Sequence, residues 1–532
     1  MYIIIYDFGT SSVKTCLFEI DSGIRLAASA SAGYGLYISD DGGAEQDTEE
    51  WWAALCSTTR ELFQKSDVKP ETIEGMAFCS QMQGTVFVDE SGNALRRPMN
   101  YLDQKGVKEY KACMGSGVIK VLNMNAHEIA QRTGIPISLK KVLVRDKSKP
   151  RPDMPKGVEL IDDVEEILGD PEIKIVVELM GGLHPSREYM LRALEAGKHV
   201  VTANKDVVAQ FGRDMFEAAE KSNVSFLFEA SVGGGIPIIS PLKHSLTANR
   251  ISEVMGIVNG TTNYMLTKMS EDGCSYEEVL KEAQEKGYAE ANPSADVDGL
   301  DAARKAAILA SLAFNTRVQL DNVSVEGITK ITPEDIEYAR DLGYVIKLLA
   351  VGKESVENGV DVRVHPVFLP KSHPLASVNG VFNAIFVKGN AIGEAMFYGQ
   401  GAGSLPTASA VTADIIEAAR NIQSGLVRGS GCTCYEQKSF CPLEKTVSSY
   451  YVRLLVDDKP GVLGAIATAF GNAKVSLKSV IQTPLNVKDH AEIVAVTHPV
   501  EHSCLQEALT VFKSLSVVNE IRNVIRVEND RG

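Results

Sequence analysis

The sequence predicts an α/β protein built round a doubly wound parallel sheet, followed by an α+β domain and a C-terminal βαββαβ module. Two observations predict it. Between residues 117 and 231 short apolar segments, of the kind buried on both faces of a sheet, alternate with amphipathic helical ones. Beyond residue 449, behind a polar linker, strands and helices recur in the order βαββαβ. The 532 residues leave room for roughly three or four domains.

Composition narrows the function. The chain is 44% hydrophobic and 23% charged, as globular proteins are. A net charge of −15 with no basic block argues against nucleic acid and anionic membranes as partners. The apolar runs "MYIII" and "IVVELM" are too short to span a bilayer. The start lacks the basic and hydrophobic regions of a signal peptide. Nine scattered cysteines suit a reducing cytoplasm. Cys432, Cys434 and Cys441 lack a second CxxC or paired histidines, so they read as free thiols in a connecting segment.

Residues 1–22 read as two strands round the turn "FGTSS". Asp7, Gly9, Thr10 and Ser11 suit a phosphate and its magnesium, although a plain hairpin explains them equally well. With "EQD–EEWW", the "S-Q-M-x-G" turn at 80–84 and "D-E-S-G-N-A-L-R", this segment resembles the N-terminal part of the FGGY carbohydrate kinases. That resemblance implies half of a ribonuclease-H-like lobe, with Gln81 and Gln83 at a sugar site. It ends near residue 115, before any catalytic carboxylate or second ATP-binding lobe, so a working kinase is not expected.

The parallel sheet follows. "ISLKKVLVRD" (137–146), "VELID", "EIKIVVELM" (172–180), "KHVVTANK" (198–205) and "VSFLFEAS" (224–231) read as strands. "DVEEIL", "SREYMLRALEAG" and "GRDMFEAAEKS" read as helices between them. Ahead of them, Gly115 and Gly117 form a turn entering a helix, like the end of a G-x-G-x-x-G loop, but Ala112 and Tyr110 occupy the earlier glycine positions. No apolar strand precedes the turn. At the end of the second strand of such a sheet, Arg145 and Lys147 favour the 2′-phosphate of NADP, with NAD still possible because Asp146 lies between them.

Asp301 and Lys305 in "GLDAARK" are four apart, hence on one helix face. A lysine beside a carboxylate can protonate a developing alkoxide, and alone the pair reads also as a surface ion pair. Lys205 lies at a strand's C-terminal end, where open sheets bind ligands. "EASVGGGI" offers a carboxylate and a loop able to aim carbonyls at a hard cation. These stretches, with "VVTANKDVVAQFG", "GIVNGTTNYMLTKM", "EAQEKGYAEANPSADVDGLDAARKAAILA" and "FYGQGAGSLPTASAVTADI", resemble homoserine dehydrogenase from about Ser116 onward.

The resemblance implies a reversible NAD(P)-dependent hydride transfer between L-homoserine and L-aspartate 4-semialdehyde. It makes Lys305 the acid/base, Asp301 a substrate ligand, and Lys205 a bridge between nicotinamide and substrate. Gly287, Glu290 and Asp296 would bind substrate, with Asn292 standing where the family often has Asp. Gly115, Gly117, Gly401 and Gly403 would approach the cofactor. Glu229 and the carbonyls of Val232, Gly234 and Ile236 would hold a monovalent cation such as sodium. In a Rossmann-type domain of this family, Gly115 would be the third fingerprint glycine. The first strand is then missing, as though a kinase fragment were joined to the dehydrogenase at residues 114–118.

The last module, with "DKPGVLG" as its turn, resembles the ACT domain, which implies an amino-acid effector such as threonine and pairing into a homodimer or tetramer. The expected division is 1–114 kinase fragment; 115–238 nucleotide-binding domain, completed by about 400–425; 239–425 catalytic and dimerisation domain; 426–448 linker; and 449–526 ACT. The alternative is a catalytically impaired chimera that keeps only amino-acid binding and oligomerisation. A sugar kinase is a distant third.

Overall fold

The computed structural model describes residues 2–9, 11–21, 24–38, 44–80, 114–148, 151, 154–290, 292–355, 357–427, 431–484 and 489–528. Thr10, Gln81 and Gln83 lie outside them. The chain divides into two compact units, Met1–Lys111 with Glu285–Gly287, and Ala112–Gln284 with Tyr288–Gly532. Among the described residues no helix is long and apolar enough to cross a membrane.

In the first unit Tyr2–Phe8 and Ser12–Ile20 form the expected hairpin, extended by a third strand, Ile24–Gly33, that the sequence reading omits. Ile73–Ser80 pairs parallel on the other side of Tyr2–Phe8. The helix Thr48–Lys65, capped by Asp47, buries Ala54, Thr58 and Leu62 against this sheet. The "EEWW" stretch is its first turn, where Glu49 and Glu50 favour the helix dipole.

Among the described residues, the parallel sheet of the second unit is in two parts. Lys141–Leu143 pairs with Glu159–Ile161, and Phe226–Leu227, His199–Thr202 and Ile175–Glu178 form a separate three-stranded sheet. In the 3-2-1-4-5-6 order of a doubly wound sheet these are positions 3-2 and 4-5-6, and position 1 lies between the halves. The strands expected over 137–146, 172–180 and 198–205 are shorter, at Lys141–Leu143, Ile175–Glu178 and His199–Thr202, and further boundaries differ from the sequence reading. Gly115 and Gly117 lie within the helix Met114–Met124 rather than in a turn before it. The helix expected from Gly212 begins at Lys205 and runs to Lys221, because the Asn204 side chain caps it. The strand expected over 224–231 stops at Leu227, and the chain turns through a 3₁₀ segment, Glu229–Ser231. The helix Ser404–Ser424 returns to pack on Met114–Met124 and on His199–Thr202.

The rest is one eleven-stranded sheet. Its first half runs Gly393–Gln400, Phe382–Gly389, Ile251–Ile257, Tyr344–Ser355, Gly359–Pro370, all antiparallel. Its C-terminal half runs Val518–Val527, Val447–Asp457, His490–Thr497, Leu477–Pro484, with helices Val462–Asn472 and Ser514-ending His502–Ser514 on one face. This is the expected βαββαβ module. A parallel pairing of Val367 with Arg526 and Phe368 with Val527 joins the halves. The helix Leu300–Ala313, buried on most sides, lies in the largest core.

Candidate active site

Three elements meet at Asp301. The helix Leu300–Ala313 carries Asp301 and Lys305 one turn apart, the strand Ile251–Ile257 ends just before Val258 and Asn259, and the helix Lys205–Lys221 presents its first residue. Lys305 Nζ donates to Asp301 Oδ2 at 2.7 Å and to the Val258 carbonyl at 2.6 Å. Lys205 Nζ is 3.2 Å from Asp301 Oδ1. A lysine is unfavourable at a helix N-terminus, and Asp301 offsets this. Next to the pair, Arg304 Nε meets Asp206 Oδ1 at 2.6 Å and ties the same two helices together.

Asn259 is a residue the sequence reading quoted within a motif but did not single out. Its Oδ1 caps the helix Gly260–Asp272 by accepting from the Thr262 N–H at 2.9 Å. Its Nδ2 donates to Asp296 Oδ1 at 2.7 Å and to Asp301 Oδ2 at 3.0 Å. An Asn-Gly after an apolar strand is the available signal, but it reads as a turn. Burial works against the Asp301 charge, yet the attraction of Lys305 and Lys205 holds its carboxyl well below the usual range. For Asp296 burial prevails and the carboxyl is raised, with Asp301 adding repulsion. Two neighbouring acids thus have opposite shifts.

Asp296 lies in the short helix Ser294–Val297. Gly287 follows the helix Tyr276–Glu285 at a φ of +71°. Glu290 is exposed, and its carbonyl accepts from Gln284 Nε2 at 3.1 Å. Thr261 Oγ1 donates to the Tyr288 carbonyl at 2.6 Å, which fixes this segment beside the helix that Asn259 caps.

Around the parallel sheets, Arg145 is exposed, while Lys147 Nζ is 2.7 Å from Asp162 Oδ1. At Gly117 a Cβ would lie 2.6 Å from Ser404 Oγ, so the missing side chain serves the packing of two helices. Gly403 has a φ of +134° and precedes the helix Ser404–Ser424.

The Glu229 loop is close-packed. Glu229 Oε1 accepts from the Ile238 and Ile239 N–H groups at 2.6 and 2.8 Å, and Oε2 from Ser240 at 2.7 Å. Its own N–H donates to Asp414 Oδ2 at 2.8 Å. Burial raises both carboxyls, Asp414 the more, while the three N–H bonds favour charge on Glu229. A Cβ on Gly234, at a φ of +56°, would lie 2.4 Å from the Gly401 carbonyl, so the expected cation loop and "GQGAG" touch.

Comparison with known proteins decides the family. A curated homoserine dehydrogenase from Synechocystis sp. is 49% identical over 402 residues, which cover 74% of this chain and 92% of that protein. One from Bacillus subtilis is 42% identical, over 78% of this chain and 96% of that one. The chain belongs to the homoserine dehydrogenase family. It is therefore an oxidoreductase using a nicotinamide cofactor. Family profiles agree: the homoserine dehydrogenase NAD-binding domain matches 113–229, the homoserine dehydrogenase domain 237–416, and the ACT domain 450–517. The crystal structure of a homoserine dehydrogenase from Thiobacillus denitrificans superposes with a TM-score of 0.75 at 40% identity, covering 78% of this chain and 96% of that one. The N-terminal domain of the FGGY family of carbohydrate kinases matches 2–144 and overlaps the NAD-binding match. In the overlap, Lys141–Leu143 pairs with Glu159–Ile161 of the split sheet, so the fold allots it to the homoserine dehydrogenase part.

Proposed function

We propose that Lys305 is the acid/base of a reversible oxidation of L-homoserine to L-aspartate 4-semialdehyde. The observation that supports it most is the placement of its ammonium between Asp301 Oδ2 and the Val258 carbonyl, which leaves one of its three N–H groups for the substrate oxygen. In the reduction direction Lys305 gives this proton to the developing alkoxide, and in oxidation its neutral amine takes it. Asp301 holds both lysines, Lys205 turns its charge toward the reacting centre, and Asp296 and Glu290 meet the substrate amino group. Gly287 supplies backbone contacts. When bound, the nicotinamide accepts or delivers the hydride.

Arg145, with Lys147 once drawn from Asp162, suits the 2′-phosphate of NADP. Gly115, Gly117, Gly401 and Gly403 belong to the cofactor's surroundings in this reading. The donor set round Glu229 fits a monovalent cation such as sodium. In this reading the Glu229 carboxylate and the carbonyls of Val232, Gly234 and Ile236 are its ligands, and what supports it is that the nearby Ser231 Oγ is buried without a partner among the described residues. The ACT module serves as a threonine sensor and pairs subunits into a homodimer or tetramer. The domain limits 1–114, 115–238, 239–425, 426–448 and 449–526 belong to the same reading, as does a cytoplasmic location. The split sheet favours weakened cofactor affinity, as in a partly impaired chimera.

The test is reduction of NADP by the purified chain with and without homoserine, followed by a threonine titration. Homoserine-dependent reduction, slowed by threonine, supports the reading. Folded protein that binds threonine yet reduces no NADP overturns the catalytic part.

A further inference from the structure

Outside this site, the segment after the helix Ser404–Ser424 carries an unused pair of thiols. Residues 432–434 cover a recess between the helix Lys205–Lys221 and the helix Leu300–Ala313, lined by Val208, Phe216, Ala307, Ile308 and Arg317. The segment is anchored there. The Glu436 N–H donates to the Asn315 carbonyl at 2.9 Å, and the Lys438 N–H to Thr316 Oγ1 at 3.2 Å.

The two sulfurs have unlike surroundings. Cys432 is exposed, with Arg317 Nη2 3.1 Å from its Sγ. Cys434 is less exposed, and its Sγ is 3.9 Å from the Ser311 carbonyl. We propose that Cys432 and Cys434 form a peroxide-reactive dithiol, Cys432 attacking and Cys434 resolving, that closes to an intrachain disulfide.

The groups facing Cys432 support this division. Hydrogen bonding from Cys434, followed by the charges of Arg317 and Lys243, lowers the Cys432 thiol, and Arg213 lies within electrostatic reach. The Cys432 thiolate beside it, then burial, raises Cys434. A stabilised, accessible thiolate next to a protonated partner is the arrangement that peroxide-sensing thiols need. Cys441, whose thiol burial raises, lacks it.

The oxidant is a hydroperoxide. The Cys432 thiolate attacks the terminal peroxide oxygen, an S–O bond forms as the O–O bond breaks, and the departing oxyanion takes a proton to become an alcohol or water. Cys434 sulfur then attacks the sulfenic sulfur. The S–S bond forms as the S–O bond breaks, and hydroxide leaves with the thiol proton as water. Two thiols lose two electrons, and the peroxide gains them. A dithiol reductant reverses the change.

The test treats the full chain with hydrogen peroxide, alkylates remaining thiols and digests with trypsin. Residues 429–438 then form one peptide holding both sulfurs. The expected product lacks both alkyl groups and about 2 Da of hydrogen, and peptides holding Cys274, Cys441 and Cys504 stay alkylated. In Cys434→Ser, dimedone traps a sulfenic acid on Cys432. Arg317→Ala slows the reaction about tenfold and Arg317→Lys restores most of it. Full alkylation of Cys432 and Cys434 at a peroxide dose that oxidises Cys274 or Cys441 overturns the proposal. So does a Cys434→Ser chain that dimedone never labels.

Discussion

The Lys305 ammonium has three N–H groups, and the Val258 carbonyl and Asp301 Oδ2 hold two of them. Lys305→Ala removes the remaining proton donor together with the charge that balances Asp301. We expect kcat for homoserine oxidation to fall by about 10²–10⁴ with KM little changed, measured by initial rates; an unchanged kcat would assign the proton to another group. Asp296 predicts a pH effect. Burial raises its carboxyl above the ordinary value, so its contribution to stability is complete below about pH 3.9 and is lost as pH rises through the raised value. Asp296→Asn should therefore melt higher than the parent at pH 7, with the gap closing toward pH 4, and should raise KM for homoserine. A gap that is the same at both pH values would remove Asp296 from this account. The i,i+4 spacing of Asp301 and Lys305 was readable in the sequence. The Asn259 amide was not, because it joins two acids 37 and 42 residues away, a separation that no local pattern reports.

Between elements, the "GQGAG" loop presses on the strand Phe382–Gly389. A Cβ on Gly401 would lie 1.9 Å from Asn383 Nδ2, and Asn383 Oδ1 is buried without a partner among the described residues. Gly401→Ala should cost about 1–3 kcal/mol in chemical denaturation, and Asn383→Ala should relieve part of that cost, giving a non-additive double-mutant cycle. Strict additivity would show that Gly401 and Asn383 yield independently. Legibility at this scale followed length and competition. The alternation of strands and helices was plain, and so was the order of the ACT elements. The start of the helix at Lys205 was masked by reading "TANK" as strand, although Asn204 and the following Asp206 are N-terminal signals. The apolar run after Val224 reads as a longer strand than it forms, because Glu229 turns to collect three N–H groups.

For the whole molecule, the division of the parallel sheet is the main departure from an intact doubly wound fold. Lys141–Leu143 and Ile175–Glu178 each pair on one side only among the described residues, whereas His199–Thr202 pairs on both. Amide exchange should therefore be faster at 141–143 and 175–177 than at Val200 and Val201, and equal protection would mean that the missing position is filled. The split among the described residues was foreseeable from the sequence, where no apolar run precedes Gly115. The joining of the ACT and catalytic sheets was not, since Phe368 and Val527 are far apart in the chain and edge pairing carries no sequence pattern of its own. Near that joint, Arg453 meets Asp335 at 2.9 Å and Glu492 at 3.0 Å, in surroundings where each charge depends on the others. The joint also sets an order of events in synthesis. Val518–Val527 lies between Gly359–Pro370 and Val447–Asp457, although the ribosome makes it after both. At about 5–20 residues per second, the catalytic edge waits many seconds for its neighbour. During that interval a nascent chain displays the Val367–Phe368 stretch of Gly359–Pro370 with one side open, and chaperones are the natural guardians of such an edge.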